Sequence, residues 1–377
     1  MKRLLILILS LTVVLLGVAV IAQTPAAPSE VDAHVAAARA AAGMDYRNTF
    51  INLCLPAGGG PGGAARGAAP GAGAAGRGGA AGAGAGGRGA APANAPGGNA
   101  PAGQAAAAGR GRGGPAQTPD RANWYAPPFK VFDNLYWLGT RQHSSWALQT
   151  SAGIIMIDTN FAWATQPEII DGLTKLGLKP TDIKYVIISH AHGDHDQGAA
   201  ELQERYQAKV IMGEADWAAT LQRPPTAAGG VPTKDISVGP NGYKLTLGDT
   251  TVDIIATPGH TPGTLSYIFP VKNQGQPLMV AYSGGTLTGA FGTVAARWDE
   301  YIASQQRMAK AAADAKASVI LSNHSEYDGA YTKARLIAAP RQPGENHPFI
   351  VGTEGVQRYF TVMSECATAS KLRNGAK

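Results

Sequence analysis

The stretch Ser189-His190-Ala191-His192-Gly193-Asp194-His195 decides the fold of this chain. It places three imidazoles and a carboxylate within six positions, directly after the apolar run Tyr185-Val186-Ile187-Ile188. Neutral imidazole and carboxylate are the ligands that suit Zn²⁺. Four of them in one tight turn exceed what a single catalytic ion takes while keeping a position open for water, so the turn calls for two ions. One isolated histidine would be ordinary loop polarity, whereas His-x-His-x-Asp-His after a buried strand is a long pattern with a mechanism behind it.

Two further histidines sit where more ligands are needed. His260 lies in Ala256-Thr257-Pro258-Gly259-His260-Thr261-Pro262-Gly263, where two Pro-Gly dipeptides set a sharp loop after the run Thr251 to Ile255. His324 follows Val319-Ile320-Leu321-Ser322-Asn323, another short apolar run that ends in polar residues. Each of the three stretches therefore predicts the end of a buried strand, the place where open α/β sheets gather their binding residues.

From about Asn123 to the C-terminus the sequence resembles the metallo-β-lactamase-fold hydrolases. The matching residues are Gly153-Ile154-Ile155-Met156-Ile157-Asp158-Thr159, the His-x-His-x-Asp-His run, Thr257-Pro258-Gly259-His260-Thr261 and Ser322-Asn323-His324, in the family's order. The resemblance implies that His190, His192 and His260 hold a first Zn²⁺ and that Asp194, His195 and His324 hold a second, the ligand set of the lactamase subclass B3. One departure from the wider superfamily is useful. Lactonases, glyoxalase II enzymes and the nucleases of this fold usually carry an aspartate that bridges both metals, at the end of a strand between the last two histidine motifs. Here the corresponding run, Leu278 to Tyr282, ends in Ser283-Gly284-Gly285, and the only aspartates between His260 and His324 are Asp299 and Asp314, both in a predicted helix. A bridging hydroxide in place of a protein ligand follows, with Ser283 as a candidate pocket residue.

The chemistry implied is hydrolysis. A water between two Zn²⁺ ions about 3.5–4 Å apart has its pKa lowered toward about 7 and supplies hydroxide at neutral pH. The first metal would polarise a carbonyl oxygen and the second would stabilise the leaving group. Asp194 would orient the nucleophile as well as ligate. Asp158, at a strand end facing the same loops, is a candidate partner for a ligand histidine, with a plain turn aspartate as the alternative.

The rest of the chain bounds where such an enzyme works. Met1 to Ala22 carries Lys2 and Arg3 before an apolar stretch and a small residue, the pattern of a signal peptide, with an uncleaved membrane anchor as the competing reading. Residues 57–118 are Gly, Ala, Pro and Arg with almost nothing else, a composition that predicts a disordered linker. That tract holds five arginines and no acid, and the leader adds two cations, so of the formal +6 none belongs to the remainder, which is left at −1. The high pI is thus no sign of a basic nucleic-acid groove, and without aromatic residues the tract is better taken as spacer. Between leader and tract, residues 23–56 predict a short helical segment: Ser29 and Asp32 form a capping-box pattern and Gly43 can end the helix. Cys54 and Cys366 are the two cysteines of the chain; in an oxidising compartment they suggest one disulfide, the alternative being two free buried thiols.

Within residues 119–377 the periodicity predicts an α/β fold, an αββα sandwich of metallo-β-lactamase type with the metals at one edge. Lys130 to Phe132 and Leu135 to Leu138 flank a hairpin signal at Asp133-Asn134. Helical patterns fall at 166–176, 199–206, 214–221, 297–313 and 356–372. His143 and Trp146 are candidates to overhang the metals and shape a substrate pocket, with core packing as the alternative. The resulting expectation is a periplasmic or secreted hydrolase with two Zn²⁺ per chain and a small-molecule substrate, a B3-type β-lactamase ahead of a lactonase, esterase, thioesterase or other amidohydrolase. It has no nucleic-acid partner and no stable membrane span once the leader is removed. A non-catalytic zinc protein that binds an envelope polymer is the rival class; three ligands per metal argue against it, because a structural zinc site is closed by four.

Overall fold

Strand alternation sorts the apolar residues onto the two faces of each of two sheets. The computed structural model describes residues 29–55, 118–286, 291–340, 342 and 344–376; the expected leader at 1–22 and all but the last residue of the expected linker at 57–118 lie outside them. In the first sheet β1 (Phe129–Phe132), β2 (Leu135–Trp137), β3 (Trp146–Thr150) and β4 (Gly153–Ile157) form an antiparallel meander. β5 (Ile183–Ile187), β6 (Lys209–Gly213) and β7 (Ile236–Val238) extend it in parallel, in that order. The second sheet takes β8 (Tyr243–Leu247), β9 (Thr250–Ala256), β10 (Leu265–Asn273) and β11 (Gln276–Ser283) antiparallel. β12 (Val319–Ser322) closes it in parallel with β11.

Ile155, Ile157, Ile187 and Ile211 of the first sheet meet Tyr267, Phe269, Tyr282 and Leu321 of the second in a core between the sheets. Their chain neighbours point the other way. Helices α1 (Glu30–Ala42), α2 (Arg47–Cys54), α3 (Ala199–Tyr206), α4 (Glu214–Leu221), α5 (Ala295–Asp314), α6 (Ser325–Asp328) and α7 (Gly352–Arg373) receive them. Ile154, Met156 and Val186 pack outward on Leu202 of α3 and Trp217 of α4. On the other side Ile268, Ala281 and Ile320 pack on Trp298 and Tyr301 of α5 and on Tyr359 and Met363 of α7. The order helix, sheet, sheet, helix is the predicted αββα sandwich.

The N-terminal helices belong to the same body. Ser29 Oγ accepts from Asp32 N and the Asp32 carboxylate accepts from Ser29 N, so the predicted capping box starts α1. Gly43, at φ 51°, ends it in a conformation that glycine adopts without penalty. Ala38, Ala42, Tyr46 and Phe50 then bury themselves against α7, and a disulfide between Cys54 and Cys366 joins α2 to it. One predicted helix differs. Residues Thr165–Ile170 form a π-helical turn before Asp171–Lys175 resumes the α form. Pro167 lies inside it and has no N–H to donate, which removes one i→i−4 bond where the turn widens. Among the described residues no helix is long and apolar enough to cross a membrane.

Candidate metal centre

Loops following β4, β5, β9, β11 and β12 meet at one edge of the sandwich and are bonded to one another. Asp158 N donates to Ile187 O, Leu265 N to Ser189 O, and Ser144 N to Asn323 O. The edge thus gathers all three predicted histidine stretches.

His190, His192 and His260 form a first cluster, with ring centroids 4.4–4.8 Å apart. His190 is buried; its Nδ1 donates to Gly284 O at 2.9 Å, an oxygen that also accepts from Asn323 Nδ2. Its Nε2 is buried with no hydrogen-bond partner, which is what a nitrogen reserved for a metal looks like. His260 Nε2 lies 3.1 Å from His192 Nδ1. Burial, followed by the neighbouring imidazoles, pushes His190 well below the usual histidine range and His260 down to about 3. Burial lowers His192 as well, so all three rings favour the neutral form that a metal requires.

The second cluster is a triangle of donor atoms. Asp194 Oδ2 is 3.2 Å from His195 Nε2 and 3.3 Å from His324 Nε2, and the two nitrogens are 3.1 Å apart. Tetrahedral zinc with bonds of about 2.0–2.1 Å needs donor atoms about 3.3–3.4 Å apart, so the triangle fits one face of such a site. Behind it Asp158 works as an anchor. Its Oδ2 sits 3.1 Å from His195 Nδ1, and its carboxylate accepts from Ser189 N, Ser189 Oγ and Tyr282 Oη at 2.7–2.9 Å. Asp158 holds φ 58°, an uncommon conformation for a non-glycine residue and one that aims this carboxylate. Burial opposes charge on His195, but Asp194 and Asp158 outweigh it and raise the imidazole to about 10. Burial likewise opposes charge on Asp194, while His195 and His324 hold its carboxyl well below the ordinary carboxylate range.

His143 stands beside this triangle, its Nε2 3.6 Å from Asp194 Oδ2 and its ring edge-on to His324 at 5.0 Å. Its tautomer follows from the hydrogen-bond network. Thr140 Oγ1 already accepts from His143 N and Gln142 N, so toward His143 Nδ1, 3.2 Å away, it offers its proton. Burial and His324 keep the ring neutral, lowering it to about 3. The one ring proton then sits on Nε2, facing the site as a donor. His195, with Nδ1 turned to Asp158, completes the triangle with Asp194 and His324, beside which His143, Asp194 and His324 also lie close enough to hold an ion.

Two predicted pocket residues do not reach the edge. Trp146 is fully buried between the sheets, edge-on to Phe349 at 5.9 Å, because its place in β3 points inward beside Leu148. Ser283 faces the helical layer, where the Tyr359 hydroxyl lies beside it, because alternation along β11 sends Tyr282 inward and Ser283 out. The next two positions have no room for a side chain. A Cβ on Gly284 would fall 1.6 Å from Leu265 O, and one on Gly285 2.7 Å from His260 Cβ. Asn323 and Tyr282, which hold ligand loops in place, carry no signal of their own in the sequence beyond adjacency to His324 and to the strand end.

The model of the metallo-beta-lactamase superfamily matches residues 138–273. Among curated relatives, the hydroxyacylglutathione hydrolase of Rhodopseudomonas palustris is 36% identical over 101 residues, 27% of this chain and 34% of that protein. The enzyme of the same name from Acidiphilium cryptum is 34% identical over 134 residues, 32% of this chain and 49% of that one. The chain thus spans a third to a half of the length of the curated relatives it matches. Among solved structures, BJP-1, a subclass B3 metallo-beta-lactamase of Bradyrhizobium japonicum, superposes with TM-score 0.55 at 31% identity, covering 67% of this chain and 96% of its own. FEZ-1 from Legionella gormanii, at 23% identity and TM-score 0.56 over 66% of this chain and 97% of its own, shares the fold.

Proposed function

This chain belongs to the metallo-β-lactamase superfamily and is a zinc-dependent hydrolase, and on that premise we propose that it is a secreted dizinc β-lactamase of B3 type. The observation that carries the proposal is the end of β11. Ser283 turns away from the metal edge and neither Gly284 nor Gly285 has space for a side chain, so that strand end offers no acid to bridge two ions. The likeness to BJP-1 over almost its whole length supports the same reading. Zinc bound at such an edge supplies a Lewis acid and a water that ionises near neutral pH. His190, His192 and His260 would hold the first ion, and Asp194, His195 and His324 the second. Once a metal displaced the Nε2 proton, Asp158 would keep the remaining proton on His195 Nδ1 and leave Nε2 facing inward. His143 presents its Nε2 proton to the same space, where it can hydrogen-bond a substrate oxygen or nitrogen. The small-residue leader pattern and the Cys54–Cys366 disulfide support export to the periplasm or beyond.

The curated relatives favour a second reading, hydrolysis of a thioester such as hydroxyacylglutathione. One assay separates the two. The zinc-loaded mature protein is offered a penicillin, a cephalosporin, a carbapenem, a glutathione thioester and a lactone, with and without a chelator. Loss of lactam absorbance that the chelator abolishes is the expected result. Lactams left intact beside a cleaved thioester or lactone would retire the lactamase reading and keep the hydrolase.

A further inference from the structure

We infer that Asp216, on α4, is the positioning residue that sets the first histidine cluster. Its carboxylate is buried, and its contacts go to both loops that carry the cluster. Oδ2 accepts from Ala191 N at 2.8 Å and from Thr261 Oγ1 at 2.7 Å, while Oδ1 accepts from Gly263 N at 2.9 Å. Ala191 is the residue between His190 and His192, and Thr261 follows His260. One side chain is therefore bonded within one residue of all three imidazoles.

The peptide of Ala191 is held from its other side as well. Arg223, just past the end of α4, donates from Nη2 to Ala191 O at 2.7 Å, and its Nη1 pairs with Asp196 Oδ2 at 2.7 Å. The close approach of α4 is built into the sequence. A Cβ on Gly263 would lie 2.5 Å from Asp216 N, and one on Gly213, at the start of α4, 2.0 Å from Gly263 O. Both glycines are what let the helix reach the loops. Charged acceptors form stronger hydrogen bonds than neutral ones and serve several donors at once, so an amide in place of this carboxylate must leave at least one N–H without an acceptor.

Resting on the metal-centre part of the function proposed above and not on the reaction, the inference is tested with Co²⁺ alone. Asp216→Asn is placed in a His324→Ala background, which keeps the first cluster, and in a His190→Ala background, which keeps the second. Affinity is read by competition with a chelator and by the visible absorption of bound Co²⁺. The expected result is a fall of about 10–100-fold in the first background with an altered band shape, and wild-type behaviour in the second. Thr261→Val, which removes a single donor, should move the first cluster the same way by a smaller factor. It also serves if Asp216→Asn fails to fold. Equal losses in both backgrounds, or none in the first, would overturn the inference. A wild-type chain that takes up no Co²⁺ would remove the metal reading along with it, whereas normal uptake unaffected by Asp216→Asn removes this inference alone.

Discussion

In the first histidine cluster a carboxylate reaches the imidazoles only through the loops that carry them, whereas in the second carboxylates touch an imidazole directly. His190 leans on the Gly284 carbonyl, and the loops around His192 and His260 are tied by backbone N–H groups that donate to Asp216, while burial lowers the His190 and His260 imidazoles. His195, by contrast, lies between Asp158 and Asp194, which carry it up to about 10 against the pull of burial. The same kind of side chain is set in two ways: by shape on one side, and by opposing charge on the other. Binding at the first cluster should therefore depend mostly on loop geometry, and binding at the second on the carboxylates.

The strongest way to break this contrast is to delete ligands. His190→Ala should cost the first ion and Asp194→Ala the second, each by more than the 10–100-fold typical of outer partners. Elemental analysis after dialysis should then fall from about two zinc ions per chain to about one in either variant. If one deletion empties both clusters, they are a single unit and the contrast is wrong.

A smaller effect is expected from Asp158→Asn, which removes the charge beside His195 Nδ1 and leaves only Asp194 at Nε2, while keeping the size of the side chain. Second-cluster affinity should drop by about 10–100-fold, and first-cluster affinity by less. Chelator competition reads both, and equal losses would mean that Asp158 acts through Ser189 and the shared turn.

The smallest effect concerns the frames behind the clusters. Asp216 has three donors, whereas Glu168, in the π-helical turn that abuts Thr159, accepts from Ala126 N at 3.3 Å and keeps Oε2 buried without a hydrogen-bond partner. Burial raises Glu168 from 4.5 to about 8. Between those values the folded chain keeps a proton that the unfolded chain has shed, so stability falls as pH rises through this window. Glu168→Gln should remove that loss. Its melting temperature should match wild type near pH 5 and exceed it by a few degrees at pH 8, and an unchanged gap between the two pH values would sink the prediction.

The clustering of the histidines with Asp194 was legible because they come in short runs at the ends of apolar strands, where position along the chain and position in space coincide. Sequence carried the αββα layering for the same reason, through alternation and helical period. Orientation was harder. Ser283 and Trp146 lie next to the right loops, but whether a strand residue faces the site depends on the phase of its sheet, and one step along the strand reverses it. Asp216 was hidden by distance, since its bonds reach residues 25 and 45 positions away through the docking of a helix.

The bond between Cys54 and Cys366 spans 312 positions and so closes most of the chain into a covalent ring. A protease that cuts once anywhere inside that ring makes two pieces that remain one molecule. α1 and α2 then stay attached to α7 whatever happens to the backbone between them. On a gel such a cut would go unseen until a thiol reductant opened the ring.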